Sequence, residues 1–202
     1  MLAIFPIAYF GPVSYYKAMV GEGSIDLEIR EHYVKQSLRN RMTILGPNGV
    51  QSLSIPVIKP GGNKTLTENI LISREENWHK IHWKAIESAY ASSPYFDHYG
   101  MEIHELLRNP EPNLVKFTGD IHQRIISWLD LPVDTDYTKS YVPEAMEKDF
   151  RQRFRQSEFQ GEYSYPQVFS IPGSTFTGDL SILDAILNLG PMARKLLIET
   201  EN

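Results

Sequence analysis

Residues 75–132 constrain the fold more than any other stretch. Apolar residues recur there at three- and four-residue spacing in three blocks, each closed by a proline step. Trp78, Ile81, His82, Ala85, Ile86 and Ala89 form the first stripe, and Ser93-Pro94 stops it. The second block, Tyr95 to Arg108, ends at Asn109-Pro110. Leu114, Phe117, Ile121, Ile125, Trp128 and Leu129 make the third, closed by Leu131-Pro132. Three helices with breaks this short should pack as neighbours in space.

The first 72 residues carry strand signals instead. Leu2 to Tyr9 is an apolar run interrupted by Pro6, which suits an edge position or an early strand end. Gly11-Pro12 punctuates the chain, and Val13 to Val20 reads as a helix ended by Gly21 and Gly23. Ser24 to Arg30 alternates, with Ile25, Leu27 and Ile29 on one face. Together these predict a β-α-β start. Met42–Leu45 and Val50–Val57, joined through Gly46-Pro47-Asn48-Gly49, predict a hairpin whose second strand stops near Pro56. Residues 59–64 read as a loop and Ile70 to Ile72 as a short strand.

Residues 133–165 show no strong period and read as irregular, open to mobility, with one short helix over Glu144 to Phe154 at most. Gln167 to Ser170 suggests a strand fragment. Ser181, with Asp184 at loose capping-box spacing, opens a helix that Gly190-Pro191 closes, and Pro191 starts a last one through Ile198. The predicted fold is a single mixed α+β (α/β) domain over residues 1–202. Its β-α-β unit and hairpin form one small mixed sheet (1–72), packed with helices over 75–132 and 166–202 and linked by the irregular 133–165.

Composition closes off several functions. Hydrophobic residues are 42% and charged residues 22% of the chain, as in an ordinary globular protein. There is no cysteine, which excludes disulfides, thiolate nucleophiles and cysteine-ligated zinc. A formal charge of −5 argues against a nucleic-acid partner, which needs a broad basic footprint. Met1 to Phe10 is apolar but lacks a basic head and a cleavage site, and no stretch approaches the length of a membrane span. A cytoplasmic protein is expected.

Against this acidic background, Lys35, Arg39 and Arg41 stand within seven positions, mixed with Gln36 and Asn40 and preceded by Tyr33. Guanidinium groups offer paired donors that suit phosphate or carboxylate oxygens, so the stretch is a candidate anion-binding edge of a cleft. The plainer alternative is a solvated basic turn neutralised by Asp26, Glu28 and Glu31. Tyr9, Phe10, Tyr15 and Tyr16 surround the first strand-to-helix turn, where ligands of open α/β sheets bind, and core packing explains at least two of them as well. Glu28 is a candidate base if partly buried. His82 falls on an apolar stripe, as a buried core histidine would, yet beside Trp83 it could line a cleft as an acid or base. His79 and His82 lack a third ligand of defined geometry, so no metal site is assigned. Arg151, Arg153 and Arg155 read as a solvated face, with a lid over a phosphorylated substrate as the sharper alternative. The turn Pro12-Val13-Ser14-Tyr15 has no histidine, which weakens any analogy to nucleotidyltransferases with a His-x-x-His turn.

In order along the chain, Tyr9-Phe10-Gly11-Pro12 with Tyr15-Tyr16, Tyr33-Val34-Lys35-Gln36, Arg39-Asn40-Arg41, Asn48-Gly49 and Ile55-Pro56-Val57 resemble the WbqC-like family. Trp78, His82-Trp83, Tyr90, Ser93-Pro94-Tyr95-Phe96, Tyr165, Gln167-Val168-Phe169, Leu180 to Asp184, Asn188 and Gly190-Pro191 extend the resemblance. It implies transfer of a glycyl, other aminoacyl or acyl group to a nucleotide-linked sugar in bacterial surface polysaccharide or O-antigen synthesis. The family brings no catalytic set and names no cofactor. On the residues themselves, Lys35, Arg39 and Arg41 would hold a diphosphate and Tyr9 and Tyr15 a base or sugar. Glu28 or His82 would move a proton. The expected partner is an anionic small molecule such as a sugar nucleotide, with homo-oligomerisation left open. The alternative is a non-enzymatic binding or assembly protein whose polar cluster is structural.

Overall fold

The computed structural model describes residues 2–143, 148–153, 164–171, 173 and 176–198. Strand β1 (Ala3–Pro6) is buried throughout, and Pro6 ends it, as a residue without an N–H should. Gly11 then lets the chain pass close to α1 (Val13–Glu22): a Cβ there would press within 2.9 Å of the Tyr15 ring. Gly23, at φ 71°, ends α1 in a conformation that L side chains rarely adopt. β2 (Ser24–Glu28) returns parallel to β1, with Ala3 opposite Ile25 and Pro6 opposite Glu28.

The hairpin forms as expected from β3 (Arg41–Gly46) and β4 (Gly49–Ser54), with Gly46 opposite Gly49 and Gly49 at φ 95°. It makes a sheet of its own and does not join β1 and β2. β5 (Val57–Ile58) and β6 (Leu71–Ile72) make a second small antiparallel pair. The helices α2 (Trp78–Tyr90), α3 (Phe96–Arg108) and α4 (Leu114–Leu129) follow the three stripes. Ile81 is the exception, at 58% exposure.

The third strand beside β1 and β2 comes from the stretch expected to be irregular. β7 (Asp134–Tyr137) pairs parallel with β2, Ser24 opposite Asp134 and Leu27 opposite Tyr137, so the strand order is β1-β2-β7. Asp-Thr-Asp-Tyr has no apolar face to announce a strand, and the free edge of β2 supplies the state. On the other edge, Ile4 donates to the Lys148 carbonyl (2.9 Å) and Phe150 donates to the Ile4 carbonyl (2.8 Å). The Phe5 and Phe150 rings stack at 4.4 Å. Of the helix expected over 144–154, residues 148–153 form this bridge and a turn, and the remainder lies outside the described residues. Gln167 to Ser170 is not a strand.

Helices α5 (Ile182–Leu189) and α6 (Ala193–Ile198) close the fold. Ser181 caps α5 by accepting from the Leu183 amide. The start of α5 is tied to the β1–α1 turn and to the hairpin, through Ile182 N–H to Gly11 O and Ser181 N–H to Thr43 O, each 2.8 Å. The buried Asp184 accepts from the Tyr165 hydroxyl (2.7 Å) and from Gln167 Nε2 (2.8 Å). Buried apolar residues form one continuous cluster reaching from Ala3 to Leu197. No helix among the described residues is long and apolar enough to cross a membrane.

Candidate functional site at the carboxyl edge of the parallel strands

All three strands β1, β2 and β7 run the same way, so their carboxyl ends share one edge, where open parallel sheets bind ligands. That edge is built from charge. Glu28, the last residue of β2, is 0% exposed. Its Oε1 accepts from the Arg30 amide (2.6 Å) and the Thr138 hydroxyl (2.9 Å). Oε2 accepts from the Val142 amide (3.1 Å) and Arg151 Nη1 (3.2 Å). Four donors converge on this one carboxylate and fix its direction.

Arg151 reaches Glu28 because residues 148–150 lie along β1 and deliver it to the carboxyl edge. It is 1% exposed, and grips Asp149 through Nε (2.9 Å) and Nη2 (2.6 Å). The Tyr141 ring lies 5.6 Å from its guanidinium carbon. Burial works against the Arg151 charge, but Asp149, Glu31 and Glu28 outweigh it and raise the guanidinium above its ordinary range. Arg151 is therefore not part of a solvated face. Arg153 is exposed, and Arg155 lies outside the described residues.

The connection from β2 to β3 crosses the same edge as a series of turns, anchored where Tyr9 N–H meets the Leu38 carbonyl at 2.8 Å. Arg39 is 1% exposed. Its Nε (2.9 Å) and Nη2 both donate to Glu31 Oε1, and Nη1 donates to the Ser37 hydroxyl at 3.2 Å. The guanidinium is thus occupied by the fold. Glu31 is itself buried, and a buried carboxylate requires a cation beside it. Lys35 and Arg41 are held differently from Arg39. Lys35 is exposed, and Arg41 is half-buried with Nε donating to Ser54 Oγ across the hairpin at 3.0 Å. Gln36 is exposed at the tip, in the left-handed region at φ 53°.

Two polar atoms of this connection are buried with no partner among the described residues, the Tyr33 hydroxyl and Asn40 Oδ1. The Asn40 amide is oriented by its other end, where Nδ2 donates to the Ile55 carbonyl at 2.8 Å. Burial raises the Tyr33 phenol above its ordinary value, and the charges of Arg39 and Arg41 oppose the shift. Buried polar atoms are nearly always hydrogen-bonded, so two orphans in one connection single it out as a candidate site.

The other expected site residues lie in the core. Tyr15 donates to the Pro6 carbonyl at 2.7 Å and is 1% exposed. The Tyr9 hydroxyl meets His82 Nδ1 at 2.8 Å, with Trp78 and Phe117 around the pair. Burial pushes His82 down to about 4, with His79 acting in the same sense and a hydrogen bond to the Ser54 carbonyl in the opposite one. The direction of the bond between the Tyr9 hydroxyl and Nδ1 follows the tautomer of the ring. Among the described residues no group of three or more His, Asp or Glu side chains could hold a metal ion.

Sequence reasoning did not single out Thr138, Asp149 or the role of Arg151. The basic run from Lys148 to Arg155 was the one signal available, and nothing in spacing marks Thr138. A family model described as the WbqC-like protein family matches residues 9–156. Among curated proteins and solved structures nothing matches the chain. The matched residues take in Glu28, the 33–41 turns and Arg151, and stop short of Tyr165, Gln167 and Asp184. On that match, over most of its length, the chain belongs to the WbqC-like protein family.

Proposed function

We propose that the chain binds a nucleotide-linked sugar at the β2–β3 connection and serves the transfer of an aminoacyl, such as glycyl, or acyl group to it. The setting is bacterial surface polysaccharide or O-antigen synthesis, in the cytoplasm. The observation that supports this reading is the pair of orphaned atoms, Tyr33 hydroxyl and Asn40 Oδ1. A sugar hydroxyl can accept from the phenol and donate to the amide oxygen, so one ligand class satisfies both atoms. Lys35 and Gln36, exposed in the same connection, would meet the anionic part of such a ligand. Arg39 and Glu31 hold the connection in shape beneath it. In this reading Glu28 and His82 are positioning residues, since the hydrogen bonds of each are already taken within the fold.

The test is thermal shift and calorimetry against sugar nucleotides and acyl donors. A ligand that binds the native state must raise the melting temperature. Tyr33→Phe removes only an unpartnered hydroxyl, so stability should stay within about 1 kcal/mol of wild type while sugar-nucleotide affinity falls by about fivefold. No stabilisation by any sugar nucleotide, or unchanged affinity in Tyr33→Phe, would overturn the reading. One observation favours the second reading, a non-enzymatic binding or assembly protein: Arg39 is buried and already paired with Glu31. That reading expects no turnover with any donor and acceptor pair, and a stable assembly that uses the same face.

A further inference from the structure

Hairpin geometry fixes which way the backbone of β4 points. Gly46 and Gly49 close the ladder at the Pro47-Asn48 turn, and hydrogen-bonded pairs then alternate with open ones. Ile44–Gln51 and Met42–Leu53 are bonded pairs, so the N–H and C=O groups of Val50 and Ser52 point away from β3. On the β3 side the fold uses the outward groups. Thr43 O accepts from Ser181 N–H at 2.8 Å, and Arg41 N–H donates to Ser37 O at 3.1 Å. On the β4 side, Val50 and Ser52 have no outward backbone partner among the described residues, and β4 pairs with β3 alone.

Val50, Gln51 and Ser52 are exposed in succession, Val50 at 51%, so neither face of the strand is covered there. Open edges are commonly blunted by charge, proline or a bulge. β7, at the edge of the parallel sheet, follows that rule with Asp134 and Asp136. β4 does not. Gly-Val-Gln-Ser-Leu-Ser carries no charge and no proline, in a chain of which 22% is charged. A strand that pairs with its own copy sets every side chain beside the same short sequence, where a charge would meet its like. An uncharged edge is what self-pairing requires, so the occupant it fits is a second copy of this chain.

We propose that two copies of the chain join through β4, antiparallel about a two-fold axis at Gln51, into one four-stranded sheet. Val50 of each copy then stands opposite Ser52 of the other, and each such pair exchanges both backbone bonds. Gln51 faces its own counterpart at a Cα separation of about 4.5 Å, close enough for the two carboxamides to bond. With the axis on Ser52, Gln51 would instead face Leu53, which is buried in its own chain at 3% exposure. The interface goes beyond the sugar-nucleotide reading and does not depend on it, because the β2–β3 connection joins β3 at Arg41, the far end of the hairpin from its turn.

Sedimentation equilibrium of the full chain tests it. An interface this small is weak, so wild type should dimerise with a Kd on the order of 10–100 µM. Gln51→Lys and Gln51→Glu each place like charges opposite one another and should weaken self-association about fivefold or more. An equal mixture of the two should restore it as a heterodimer, the result that upholds the axis. Ser52→Pro removes an N–H that the hairpin does not use, so it should abolish the dimer and keep the wild-type melting temperature. Should that variant fail to fold, the Gln51 pair decides alone. Wild type that stays monomeric to about 500 µM overturns the proposal and leaves the edge to another protein's strand. A dimer that tolerates the Gln51 variants, or one that they weaken without rescue on mixing, overturns it as well.

Discussion

Arg39→Ala leaves the Glu31 carboxylate buried without its cation, and should cost about 3–5 kcal/mol in urea unfolding. Replacing both partners with apolar residues of similar volume, Glu31→Leu with Arg39→Met, should recover much of that loss, because the pair itself is a weak net contributor. Recovery would separate a structural pair from one kept for a ligand. Two histidines set a pH dependence. His82 and His122 are each pushed down to about 4 by burial, from an ordinary 6.5. Below about pH 6.5 the unfolded chain takes up protons that the folded chain refuses until near pH 4. Their contribution is therefore whole above pH 6.5 and falls as pH drops through that window, by roughly 3 kcal/mol for each ring. Asp184, whose carboxyl is raised by burial, works the other way at the acid end. Urea midpoints at neutral and acid pH check the sign, and His122→Phe should remove about half of the fall.

The elements follow local rules except where one is completed by another. α2, α3 and α4 are amphipathic by themselves, so their stripes could be read directly. β7 could not be, since it exists as a strand only against β2. The join between α5 and the α2–α3 turn is of the second kind. Gly190, at φ 58°, packs so closely on the Tyr95 ring that a Cβ would collide with it, while the Tyr95 amide donates to the Leu187 carbonyl at 3.1 Å. Gly190→Ala meets both the left-handed penalty and the ring, and should destabilise by about 2–4 kcal/mol. A melting temperature within a degree or two of wild type would show that this junction yields easily.

Over the whole molecule, the family match ends before the helix that fills much of the core. Ile182, Leu183, Ala185, Ile186 and Leu187 of α5 are all 0% exposed, and α5 is tied to the β1–α1 turn and the hairpin alike. A chain ending at residue 156 should lose its cooperative urea transition and its near-ultraviolet dichroism, even though every residue of the candidate site is retained. The sequence by itself determined the helices of 75–132, the Asn-Gly hairpin and the β-α-β start, because each is written in periods of two to four residues and in proline and glycine punctuation. It also offered Tyr33 and Asn40 as candidate site residues, though without their orphaned atoms. Only the tertiary structure decided which charges meet. Glu28 finds Arg151 across 123 positions, and Arg39 is taken up by Glu31. Local spacing describes what one element can do alone, whereas the partner of a buried charge is fixed by contacts between residues far apart in the chain.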